Sequence, residues 1–159
     1  MSDFKPPKIK ERASAPARRL YLVRCADASN KKGCADNDRP LTGRGRKSLK
    51  KLCKLLKKRG ISPDLIVCSP ARRGRETLEG VMTVLDKAEI VFLDSLYAGD
   101  PLETEEFIRN LPAAKRDIMV IGGRPSLKRL SIDGKKVKKL PKGAMFCVKK
   151  QTKPPFREK

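Results

Sequence analysis

Short apolar runs, separated by longer polar stretches, set the rhythm of this chain. Five of them read as strands: RLYLV (19–23), DLIVC (64–68), EIVFL (89–93), DIMVIGG (117–123) and KGAMFCVKK (142–150). Each is rich in β-formers and too short for a free-standing helix. Between the first two, Leu49, Leu52, Cys53 and Leu56 recur at helical spacing, with Thr42 placed to cap a helix running to Arg59 and Gly60 placed to end it. A loop and helix follow in SPARRGRETLEGVMTVL, an acidic amphipathic helix in DPLETEEFIRNL, and a short helix at Ser126 reached through Arg124-Pro125. The segment NKKGCADNDRP (30–40) reads as a polar loop. Strands alternating with helices predict a layered α/β domain with a largely parallel sheet.

Composition sharpens this picture. At 159 residues the chain is one domain with a core that needs no staples. The expected division is a flexible basic arm (1–17), the domain (18–150) and a basic tail (151–159). No apolar run reaches the roughly 20 residues of a membrane span, and the first 18 residues lack the apolar stretch of a secretory signal. The five cysteines, 25, 34, 53, 68 and 147, are odd in number and have no C-x-x-C spacing. Reduced thiols in an intracellular protein, cytoplasmic or in an organelle matrix, are expected rather than disulfides or zinc. No cofactor or metal is expected. Histidine is absent, which excludes every histidine-based acid–base, nucleophilic or ligating role.

Charge is the strongest bulk signal. The net charge is +21, and it is uneven: nine acids lie between Glu76 and Ala114 against only Lys87 and Arg109 as bases. The helix 42–59 carries Arg44, Arg46, Lys47, Lys50, Lys51, Lys54, Lys57, Lys58 and Arg59 with no acid, and a second basic block includes Lys135, Lys136, Lys138 and Lys139. Such blocks favour a polyanionic partner, RNA first, over a merely solubilising surface. Aromatics are scarce, so contact with phosphates of structured RNA is favoured over base stacking.

Three loops follow apolar strands: Arg24-Cys25, Ser69 to Arg73, and Gly122 to Ser126. In open α/β sheets such loops converge on the ligand crevice. They bring Arg24, Arg72 or Arg73, and Arg124, with helix N-termini at two of them, so they make an anion site. The alternative is three unrelated surface arginines.

The segments LYLVRCADA, DNDRPLTGRGRKSL, PDLIVCSPARRGRET, LYAGDP, VIGGRPSL and LPKGAMFCV resemble, in order and separation, the histidine phosphatase superfamily, most closely its small SixA-type phosphohistidine phosphatases. The resemblance runs from about residue 19 to 149. It implies a three-layer α/β/α sandwich and a phosphoryl site of two arginines and two histidines. Arg24 and Arg73 match the arginines. Cys25 stands at the position of the nucleophilic histidine, and Gly123 at that of the second. On this resemblance the phosphohistidine route is closed. A thiolate beside arginines is a nucleophile in principle, but cysteine phosphatases use C-x5-R, and Lys31 lies six residues after Cys25. Cys25 is therefore read as a space-filling residue, and Asp27 and Asp100 as loop caps rather than acids.

The expectation is a catalytically inactive phosphatase-like protein that binds RNA or serves as a ribonucleoprotein subunit, its phosphate pocket formed by Arg24, Arg73 and Arg124. Two alternatives are a phosphate-recognising regulator that binds a phosphorylated protein and a phosphatase of altered chemistry.

Overall fold

The computed structural model describes residues 18–85, 87–128, 130–132, 135–136 and 140–150. The expected arm and tail, together with Lys138 and Lys139, lie outside the described residues. A sheet of five strands runs β3-β2-β4-β1-β7, formed by β1 (Arg18–Arg24), β2 (Leu65–Cys68), β3 (Glu89–Phe92), β4 (Asp117–Gly122) and β7 (Met145–Lys150). The first four are mutually parallel, and β7 pairs antiparallel with β1. Two-residue strands β5 (Ser131–Ile132) and β6 (Lys135–Lys136) form a small separate hairpin that the apolar pattern did not announce.

Alternation along the strands builds two cores. Tyr21, Val23, Ile66, Cys68, Met119 and Ile121 point to one face, against Leu49, Leu52 and Leu56 of α1 (Gly43–Arg59) and Leu78 and Val81 of α2 (Arg72–Met82). Leu20, Leu22, Leu65, Val67, Ile118 and Val120 point to the other. That face is covered by α3 (Ser95–Ala98), α4 (Pro101–Arg109) and α5 (Arg124–Lys128) through Leu96, Ile108 and Leu127. The result is the expected α/β/α sandwich.

Local signals set most boundaries. Thr42 caps α1, its hydroxyl accepting from the Gly45 amide at 3.0 Å, and Gly60 ends the helix at φ +62°. Asp100 caps α4 through the amides of Leu102 and Glu103, the capping role expected of it. One expectation needs adjustment. The helix after β4 begins at Arg124 rather than Ser126, because the Gly123 carbonyl already accepts from the Leu127 amide. The expected strand β3 forms the sheet edge and leaves Ile90 and Phe92 39% and 49% exposed.

The helices α1 and α4, on opposite sides of the sheet, carry opposite charge. All nine Lys/Arg of α1 are exposed. On the opposite layer, α4 holds Glu103, Glu105 and Glu106 against a single base, Arg109.

Candidate phosphate site

Four parallel strands deliver their carboxyl ends to one edge of the sheet, and the loops that follow β1, β2 and β4 meet there. β1 ends in Arg24 and runs into Cys25, whose amide donates to the Gly122 carbonyl at 2.9 Å. That bond ties the end of β1 to the end of β4, where Gly123 and Arg124 follow. After β2, Ser69 leads into α2, whose second residue is Arg73.

These ends enclose a cleft of about 160 Å³. Cys25, Ala26, Ala28 and Gly123 give it a small-residue lining, and Arg24, Arg39, Arg73, Arg124 and Lys142 give it five cations. The three expected arginines are therefore brought together. Arg72, the other possibility after β2, turns away to Glu76 at 2.7 Å and to Asp38 at 3.7 Å.

Each cation is held differently. Arg24 Nη1 donates to the Leu140 carbonyl at 2.9 Å, and Arg24 and Arg124 have no carboxylate partner among the described residues. Burial, followed by the charge of Arg124, lowers the Arg24 pKa. Arg73 donates to the carbonyl and the carboxylate of Asp36, at 2.9 and 3.3 Å, with its guanidinium 5.8 Å from the Tyr97 ring centre. Tyr97 in turn donates its hydroxyl to Asp36 at 2.9 Å, the largest cause holding that carboxyl below its usual range. Lys142 Nζ donates to Asp27 at 2.8 Å, and the Thr42 hydroxyl donates to the other Asp27 oxygen at 2.7 Å. Both bonds lower the Asp27 pKa.

Cys25 is 5% exposed, more enclosed than a partly buried filler. Burial pushes its thiol up to about 11, against the opposing pull of Arg73 and Arg24. A thiol in that state is a poor nucleophile near neutrality.

Arg39 and Lys142 were not among the predicted site residues. Each lies in a polar stretch: Arg39 follows the 3-10 turn Asp36–Asp38, and Lys142 sits in the turn before β7. Arg39 stands beside Asp36 and Asp38 in the quoted DNDRP segment, a local signal that was available, whereas Lys142 meets its acid, Asp27, only in the fold. Arg39 Nη1 donates to Asn30 at 2.9 Å. Its Nε is buried without a hydrogen-bond acceptor, 3.7 Å from an Asp36 carboxylate oxygen.

The predicted basic blocks lie elsewhere. The α1 residues are exposed on the outer layer; Lys135 and Lys136 form β6. No group of three or more His, Cys, Asp or Glu suited to a metal occurs among the described residues, nor does a helix long and apolar enough to cross a membrane.

Residues 20–97 match the family model for the histidine phosphatase superfamily, branch 1. An uncharacterized chloroplastic protein of Arabidopsis thaliana is 32% identical over 113 residues, which cover 65% of this chain and 52% of that protein. The chain thus spans about half the length of this curated relative. A candidate phosphohistidine phosphatase SixA from Nakamurella multipartitia is 32% identical and superposes with a TM-score of 0.61, over 70% of this chain and 63% of that one. The protein histidine phosphatase SixA complexed with tungstate, 20% identical, superposes with a TM-score of 0.72 over 84% and 96%. Residues 20–97 thus match the histidine phosphatase superfamily, and the chain has the fold of the SixA structures.

Proposed function

We propose that this chain binds phosphoryl groups without hydrolysing them and works as a polyanion-binding protein, with RNA or a ribonucleoprotein as its partner. One observation carries the reading: the anion cleft keeps its arginines, but the strand ends that line it hold Cys25 and Gly123 in a chain with no histidine. Arg24 and Arg73 are the phosphate contacts, and Arg124 adds a third guanidinium. No imidazole is present to take up the phosphoryl group. The Cys25 thiol, at about 11, leaves a thiolate fraction of about one in ten thousand at pH 7. Asp27 and Asp36 are tied to Lys142 and Arg73, so neither is a free acid.

The exposed basic face of α1 supports the polyanion part of the reading: a surface of nine cations and no acid favours phosphate backbones through counterion release.

Two measurements test this. Phosphate release from a phosphohistidine peptide and from a generic phosphoester is expected to be absent, whereas calorimetry is expected to detect inorganic phosphate binding that disappears in the Arg24→Ala, Arg73→Ala variant. Release abolished by Cys25→Ser would overturn the proposal and establish a thiol-dependent phosphatase.

A second reading has its own support in the SixA-type relatives, which are phosphohistidine phosphatases by name. On that reading the cleft recognises a phosphorylated protein. Binding of a phosphopeptide, lost on removal of its phosphoryl group and unaffected by substitutions on α1, would favour it.

A further inference from the structure

Hydrogen bonds and close packing join one wall of the cleft to the start of the basic helix, and this junction names the ligand more closely. We infer that the cleft holds the terminal phosphomonoester of an RNA strand, and that the backbone behind that end runs along the exposed face of α1. The inference rests on the phosphate-binding reading above.

Charge comes first. Five cations line the cleft, and only Asp27 and Asp36 contact them, an excess of three positive charges. An internal phosphodiester brings a single negative charge, whereas a phosphomonoester brings about −1.5 to −2 at pH 7. Arg24 and Arg124 repel one another with no described carboxylate between them. A multiply charged oxyanion with several acceptor oxygens answers both conditions.

Size and shape come next. A cleft of about 160 Å³ has room for a phosphoryl group and its ester oxygen. The floor is the joined ends of β1 and β4.

The path away from the cleft is built into the packing. Gly143, next to Lys142, has φ +76°, and a Cβ there would lie 2.9 Å from the Cβ of Ser48 on α1. The turn is pressed onto the helix. Asp27 bridges Lys142 to the α1 cap Thr42 and feels the charge of Arg44. From this junction Arg44, Lys47, Lys51, Lys54 and Lys58 follow at spacings of three and four, a stripe beside Ser48 about 21 Å long. None of them is in an ion pair with a described residue. A phosphorylated protein would fill the cleft but leave this stripe without a role, which is why a nucleic acid is favoured.

The test compares one short single-stranded RNA carrying a 5′-phosphate, a 3′-phosphate or neither, bound to the full chain and followed by fluorescence anisotropy. One phosphorylated form is expected to bind at least about tenfold more tightly than the hydroxyl form, and which form wins identifies the end. Arg124→Gln, on an exposed side chain, and Arg24→Gln are expected to remove the preference for the phosphorylated form. Lys51→Gln, Lys54→Gln and Lys58→Gln together are expected to weaken all three RNAs alike and to lower the salt slope by about 0.7 per lysine. Equal affinity for the three RNAs overturns the inference but leaves the polyanion reading standing. Phosphate release, or a cleft that binds neither phosphate nor RNA, overturns the reading beneath it. Phosphate-dependent capture of a phosphopeptide without any preference among the RNAs assigns the cleft to protein instead.

Discussion

Cys25 occupies the first position after β1, where a nucleophile would command the cleft, and its surroundings keep it protonated. A thiol held near 11 reacts slowly with alkylating agents at pH 8, because the thiolate is the reactive form. Iodoacetamide followed by mass spectrometry is expected to modify Cys147, which is exposed, and Cys34, which is partly exposed, well before Cys25. Labelling of Cys25 first would restore it as a candidate reagent. The same raised pKa has a consequence for stability. The folded state holds the Cys25 proton more tightly than the unfolded chain, whose ordinary value is 9.0. That contribution is fully present below pH 9 and is lost as pH rises towards 11. Cys25→Ala is expected to flatten the alkaline limb of the stability curve over that window. Gly45 gives a second local test, since a Cβ there would run into the Asp27 backbone. Gly45→Ala is expected to cost about 1–3 kcal/mol through forced displacement of the β1–α1 connection, read by thermal unfolding. Its effect should reach Lys142 through Asp27.

Among the elements, α4 depends on a residue far away in sequence. Arg18, 7% exposed at the start of β1, donates to the carbonyls of Ile108, Leu111, Pro112 and Lys115. It thereby serves the carbonyl groups at and beyond the C-terminal end of α4, where positive charge is favourable. Burial lowers its pKa, and these acceptors keep a charged group tolerable without a carboxylate. Arg18→Met is expected to destabilise the protein by about 1–3 kcal/mol, because the Leu111 and Lys115 carbonyls lose the Arg18 donor while those of Ile108 and Pro112 keep a backbone one. Hydrogen exchange should show the loss concentrated in α4 and the 110–116 segment rather than in α1.

What the chain disclosed about its elements follows from the range of each cause. α1 was legible to the residue because its cap Thr42, its ending Gly60 and its apolar spacing are all local. The four-residue α3 and the β5–β6 hairpin escaped because neither is long enough to display a period. β3 was legible as a strand, but its edge position was not, since apolar composition does not say which side a neighbour will cover. The site divided in the same way. Arg24, Arg73 and Arg124 were visible because each follows a strand, whereas Arg39 and Lys142 enter the cleft from turns whose position only the folded chain determines.

At the scale of the whole molecule, positive charge is concentrated on the α1 side of the sheet. Association with RNA is expected to weaken steeply with added salt, since each neutralised phosphate releases condensed counterions. Glutamine substitutions in α4, such as Glu103→Gln with Glu106→Gln, are expected to leave that salt slope unchanged, because those carboxylates sit on the opposite face. A slope changed as much by α4 substitutions as by α1 substitutions would show that only net charge matters.

Layering has a kinetic consequence as well. With α1 on one side of the sheet and α4 on the other, the molecule carries a dipole directed across its layers. In the field of a polyanion such a body experiences a torque before it makes contact. It turns α1 forward during the approach, and fewer collisions are spent on the wrong face. Two proteins of equal net charge, one with its acids in α4 and one with them scattered, would then differ in association rate at low salt while dissociating alike.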